Sequence, residues 1–217
     1  MTRALGIDVS LSHGLDLVLM NERFQIEDVR EAAVAELADV IHELGPDIIA
    51  IDSPPKFGVH GNSRAAEREL NGRGIKIFYT PSDSEKCRRP FYGWMQVGHK
   101  CFEVASACGF EAFDGTGPMQ RRAIEVFPHA SAVVLSQCCP PRGWQKKKSD
   151  KRRWRLRPLQ ALEIDIGKLQ TTDQVDAALA ALTGMYALNN RFVPVGDLSE
   201  GVIVLPTEKL LEHYPRK

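Results

Sequence analysis

No apolar run in these 217 residues approaches the roughly 18 needed to span a bilayer. The opening "RALGIDVS" has the composition of a strand, not of a basic segment followed by an apolar block, so no secretory signal is expected. Lysine plus arginine and aspartate plus glutamate number 28 each, so a formal net charge of +0 selects no partner, and only local charge can. Cysteine is scarce. The five residues comprise an adjacent Cys138 and Cys139 and a scattered Cys87, Cys101 and Cys108, with no C-x-x-C pair. That spacing disfavours a thiolate zinc site and a disulfide scaffold, and it fits reduced thiols. Repeats and low-complexity segments are missing too. What is left is a cytoplasmic protein, 43% hydrophobic, with residues 1–217 forming a single domain.

Three apolar runs end on an acid: "ALGIDVS" delivers Asp8, "IIAIDSPP" delivers Asp52 before a Pro-Pro corner, and "AIEVFPHAS" carries Glu125. Between the first two, "GLDLVLMNERFQIE" alternates like a hairpin strand with a turn near Asn21. "EDVREAAVAELADVIHELGP" then places Val29, Ala33, Leu37, Val40, Ile41 and Leu44 on one helical face, stopped by Gly45 and Pro46. Strand, hairpin, helix, strand predicts an α/β sheet of mixed direction. "NSRAAERELNGRG" reads as a capped helix and "IKIFYTPS" as a short strand. Residues 82–120, rich in Gly, Pro and aromatics, read as an irregular insertion. In "TTDQVDAALAALTGMYAL", Thr171 and Gln174 form a capping box ahead of an apolar stripe. "EGVIVLP" closes with a strand.

Strands of such a sheet end at a common edge, where loops build sites. Asp8, Asp52 and Glu125 gathered there would repel one another and resist ionisation unless a cation joined them. A hard divalent ion with oxygen ligands removes that cost. Asp176, near the start of the last helix, can complete the cluster from the side. Each acid also has a plainer reading: Asp52 as a turn residue, Asp173 as a match to the helix dipole, Glu67 as a solvated partner of Arg64 or Arg68. His129 is either a proton-transfer or phosphate-orienting group or a structural imidazole.

Residues 142–157, "RGWQKKKSDKRRWRLR", are basic at nearly every second position. Lys146, Lys147, Lys148 and Arg153 can track a phosphate backbone while Trp144 and Trp154 stack on bases. A solvated linker entering a helix explains the same run.

In order, "GIDVS", "AIDSPP", "RAAEREL", "IEVFPHAS", "DQVDAALAAL" and "EGVIVLP" resemble the DUF429 family, grouped with RNase H-like nucleases, across nearly the whole chain. The resemblance implies an α/β, ribonuclease H-like fold: a mixed five-stranded sheet flanked by helices with an acidic metal cluster. It puts Asp8 on the first strand, Asp52 after the fourth, Glu125 on a later strand and Asp176 on the final helix. Where the family has a Lys-Lys-Thr-like stretch, this chain has the longer "KKKSDKRRWR". The expected activity is hydrolysis of phosphodiesters by a Mg²⁺- or Mn²⁺-dependent nuclease acting on nucleic acid. Two alternatives stand beside it. One is a binding module for nucleic acid or protein on the same fold. The other is an actin-like ATP-dependent phosphotransferase, for which the chain is short and lacks a second Gly-rich phosphate loop.

Overall fold

A computed structural model describes the chain apart from residues 83, 145, 146 and 217, so the lysine-run prediction at Lys146 lies outside the described residues. Strands β1 (Arg3–Ser10), β2 (Gly14–Asn21) and β3 (Ile26–Ala32) form an antiparallel meander. Helix α1 (Leu37–Leu44) ends on Gly45 at φ 52°, a left-handed cap that glycine adopts without steric cost. It leads to β4 (Ile48–Asp52), which runs parallel to β1. Helices α2 (Ala65–Gly72), α3 (Ser84–Cys87) and α4 (Gly93–Ala107) follow. Next come β5 (Glu111–Ala112), β6 (Arg122–Glu125) parallel to β4, and α5 (Pro128–Ser136). Then α6 (Lys148–Ala161), α7 (Thr172–Leu188) and a ribbon of β7 (Val193–Asp197) and β8 (Gly201–Leu205) complete the order.

The expected mixed α/β sheet is present, with helices on both faces. It has six strands in the order β3-β2-β1-β4-β6-β5, against the five expected, because the two-residue β5 pairs outside β6. Three sequence expectations are corrected. The helix read from residue 27 starts at Leu37, because Ile26–Ala32 pairs with β2 as an edge strand. Its lightly buried residues fit a helical and an extended template equally. "IKIFYTPS" forms no strand. The stretch 82–120 contains α4, fifteen residues long, which covers one face of the sheet through Cys101, Phe102 and Ala105. The strand expected at "GVIVL" is present as β8; it pairs with β7 and meets the end of β6 through an isolated parallel bridge between Val126 and Val204.

The two faces separate by strand alternation. Leu5, Ile7, Ile49 and Ile51 pack toward α1 and α4, whereas Ala4, Ile48 and Ala50 pack toward α7. Gly6 belongs to the α7 face. A Cβ there would lie 2.0 Å from the Ala177 carbonyl oxygen and 2.3 Å from the Ala181 nitrogen. Strand β1 and helix α7 therefore meet backbone to backbone. Asp8, two residues on, is set against the first turns of that helix. Among the described residues no helix is long and apolar enough to cross a membrane.

Candidate functional site

Parallel pairing puts Asp8 opposite Asp52 in the β1–β4 ladder, and antiparallel pairing puts Asp16 of β2 opposite Asp8 on its other side. Three adjacent strands thus present carboxylates on one row of one sheet face. Helix α7 is aimed at that row. Thr171 caps it by accepting a 3.0 Å hydrogen bond from the Gln174 amide, and Asp173 and Asp176, three residues apart, share the face at its N-terminal end. A cavity of about 260 Å³ opens there. It is lined by Asp8, Asp52, Glu67, Glu125, Asp173 and Asp176, facing Arg64, Lys151 and Arg155. All four acids expected at the sheet edge, and both accessory acids, border one volume.

These acids fall into two electrostatic groups. On the β6 side, Arg64 grips Glu125 with both terminal nitrogens at 2.7 and 2.5 Å, and its Nε donates to Glu67 at 3.0 Å. Glu67 also accepts the Arg64 and Thr80 backbone amides at 3.0 and 2.9 Å. Arg64 is 1% exposed and Glu67 0%, so of the two readings of Glu67, facing the site or solvated, the solvated one is corrected: it borders the cavity, with Arg64 as its partner. Burial pushes the Glu125 carboxyl above its ordinary range, and Arg64 opposes that shift.

On the β2 side the described residues form no such clamp. Carboxylate oxygens of Asp8, Asp16 and Asp173 lie within 4.8 Å of one another. Asp16 is 5% exposed, and its Oδ1 has no hydrogen-bond partner among the described residues. Burial raises Asp8 well above the usual carboxylate range, and the Asp52 and Asp173 charges add to it. Burial likewise lifts Asp52 to about 7, opposed by Arg155, by a hydrogen bond with Asp8 and by Lys151. Asp16 rises to about 6 through burial and the charges of Asp173 and Glu31. Asp176 is intermediate: one oxygen pairs with Arg155, while its buried Oδ1 has no partner among the described residues. A donor set of carboxylate oxygens alone, close together and incompletely compensated, fits Mg²⁺ or Mn²⁺ in its chemistry.

Sequence reasoning missed Asp16, Lys151, Arg155 and the role of Arg64. Helical spacing within the basic run carried a usable signal, since Lys151 and Arg155 lie four residues apart on α6, flanking the buried Trp154. The tryptophans are corrected. Trp144 stacks on His129 at 5.1 Å, and Trp154 leans against both rings, so their faces are used in packing and not open for bases. His129 is the structural imidazole: burial, then Arg155 and Lys151, depress it to about 3, and it does not border the acidic cavity. Lys147 and Lys148 are exposed, and Arg153 is exposed and paired with Asp150.

A mixed sheet whose adjacent strands present buried acids to a helix N-terminus defines an α/β protein with an acidic, partly neutralised cavity on one sheet face. The chain belongs to the DUF429 family, described as "Protein of unknown function (DUF429)", whose sequence profile matches residues 6–199. Among solved structures it is similar to T. thermophilus RuvC in complex with Holliday junction substrate. That similarity has 13% identity and a TM-score of 0.42, over 88% of this chain and 95% of that one. No curated protein sequence matches it.

Proposed function

We propose that the protein is a divalent-metal-dependent nuclease of ribonuclease H-like fold. The observation that carries this reading is the Asp8–Asp16–Asp173 trio, within 4.8 Å, with a buried Asp16 oxygen that has no partner among the described residues. Four buried or half-buried carboxylates whose charges oppose one another are costly to retain unless a cation completes them. Asp8, Asp16 and Asp173 would hold Mg²⁺ or Mn²⁺, with Asp52 beside them. The chemistry supplied on binding is neutralisation of phosphate charge and a nucleophilic water at neutral pH.

The chain's own groups divide the remaining work. Lys151 and Arg155 bring positive charge to the same cavity, where the non-bridging oxygens of a phosphodiester require it. Arg155 is paired with Asp176; an anion that drew Arg155 away would leave Asp176 free to join the cation-holding acids. Asp52, opposite Asp8 in the β1–β4 ladder and lining the cavity, is placed to accept a proton from a water there. Glu125 stays with Arg64 and positions the cavity wall.

The test is hydrolysis of labelled single- and double-stranded DNA and RNA by the full chain with Mn²⁺, Mg²⁺ or EDTA, with Asp8→Asn as control. Metal-dependent cleavage lost in Asp8→Asn supports the reading; equal cleavage in EDTA sinks it. The internal ion pairs Glu125–Arg64 and Asp176–Arg155 favour a second reading, a module that binds a cation and a phosphate without turnover. Strand binding with no cleavage under any metal selects it.

A further inference from the structure

The mouth of the acidic cavity is aromatic and uncovered. Phe78 and Phe91 are 60% and 57% exposed, far above what rings of that size keep when packing alone places them. They meet edge to face at 5.7 Å, and Phe91 meets Tyr92 the same way at 5.0 Å. Phe78 is also a lining residue of the cavity that contains Asp8 and Asp52, as is Trp94 at the start of α4. On its other side Phe78 borders a second depression with Lys151 and Arg155. Arg88 and Arg89, both exposed, immediately precede the Phe91 turn. Carboxylates, the α6 cations and open ring faces therefore sit around one opening.

We propose that this rim receives an unpaired nucleobase, stacked on Phe78 and Phe91, of a strand whose backbone phosphate enters the acidic cavity. The inference rests on the nuclease reading and narrows its substrate to single strands or unpaired positions. Three features select a base over an apolar protein segment. The rings are few and edge-joined, so they offer π-faces and not a broad apolar patch. Lys151 and Arg155 line both depressions that Phe78 borders, as a phosphate backbone requires. The rings open onto carboxylates, which an apolar segment would have to desolvate without compensation. A base in a duplex has both faces covered by its neighbours and presents none to the rim.

The experiment uses the full chain and matched DNA and RNA oligonucleotides in three forms: single-stranded, duplex, and single-stranded with one abasic position scanned along the strand. A single 2-aminopurine reports stacking by its quenched fluorescence. The wild-type protein should quench the probe at one position and bind single strands more tightly than duplex. Phe78→Ala with Phe91→Ala should weaken single-strand binding by roughly 10- to 100-fold and abolish the quenching. The same variant should bind the abasic strand as the wild type does. Phe78→Trp should restore quenching, and because both rings are exposed, the thermal midpoints should stay together. Equal binding of base-containing and abasic strands by the wild-type protein overturns the proposal. So does a rim that captures an apolar peptide while ignoring the probe. Metal-dependent cleavage without quenching leaves the nuclease reading standing and removes the stacking. Quenching without cleavage under any metal does the reverse.

Discussion

Arg64 and Asp16 are both buried beside the same group of acids, yet their surroundings differ in kind. Arg64 is saturated: its three guanidinium nitrogens all donate to Glu67 or Glu125, and the backbone amides of Arg64 and Thr80 fill Glu67. Asp16 keeps a buried oxygen with no partner among the described residues and has Asp8 and Asp173 for neighbours. Both regions bury acids at one edge of one sheet. The first is closed by its own hydrogen-bonded counter-ion and reads as architecture; the second has Lys151 and Arg155 nearby but keeps unpaired oxygens among the described residues, and reads as a place for an ion from outside. Closeness to a cavity does not separate the two roles. Charge compensation does.

The largest expected effect tests the architectural half. Arg64→Ala strands Glu67 and Glu125 without their cation and should cost about 3–5 kcal/mol of stability in urea unfolding. A loss under about 1 kcal/mol would mean that the clamp holds nothing. Next comes the other half. Asp8→Asn should abolish metal-dependent turnover yet raise the stability of the metal-free protein by about 0.5–2 kcal/mol, because a mutual repulsion is removed. Calorimetric titration sharpens the contrast: Asp16→Asn should weaken Mn²⁺ binding about tenfold or more, with Glu125→Gln within about twofold of wild type. Reversal of that order would move the ion site to the β6 side.

A smaller effect concerns pH. Asp52 and Asp16 have folded-state pKa values of about 7 and about 6, above the ordinary carboxylate range near 4. Between those values the folded protein binds more protons than the unfolded chain, so these groups make stability fall as pH rises from about 4 to about 7. Asp52→Asn should flatten that slope in EDTA; an unchanged slope would show that Asp52 ionises freely. The smallest effect is on the exposed lysines. Replacing Lys147 and Lys148 by Gln should lower the salt slope of log K for nucleic acid by about 0.7–0.9 for each phosphate no longer neutralised, with cleavage at saturation unchanged. Unaltered slopes make that stretch a solvated entry to α6.

Much of this arrangement was legible in the chain. Asp8, Asp52 and Glu125 stand out because apolar runs carry them, and Thr171 with Gln174 marks the start of α7 to the residue. Asp16 was hidden by the pattern that revealed its strand. In "GLDLVL" it takes the polar position of an alternation and reads as solvent-facing, whereas α7 covers that face. Helix α4 was obscured because Gly98 sits where a Cβ would strike Ser53 at 1.8 Å, so a close approach stands where an apolar residue would have signalled a helix. Lys151 and Arg155 are chemically ordinary members of a basic run; their four-residue spacing puts them on one face of α6, and the packing of that helix turns the face to the cavity.

The bare contact of Gly6 with Ala177 and Ala181 acts as a calliper. It sets the gap between the strand that carries Asp8 and the helix that carries Asp173 and Asp176 by backbone atoms, which have no rotamers to yield. An added methyl at Gly6 must move the helix outward, and every oxygen-to-oxygen spacing across that gap widens with it. Mg²⁺ holds its ligands near about 2.0–2.1 Å and Ca²⁺ near about 2.3–2.6 Å, so a site of the kind proposed would select between them by backbone distance. One hydrogen atom on a glycine two residues from Asp8 would then tell two cations of equal valence apart.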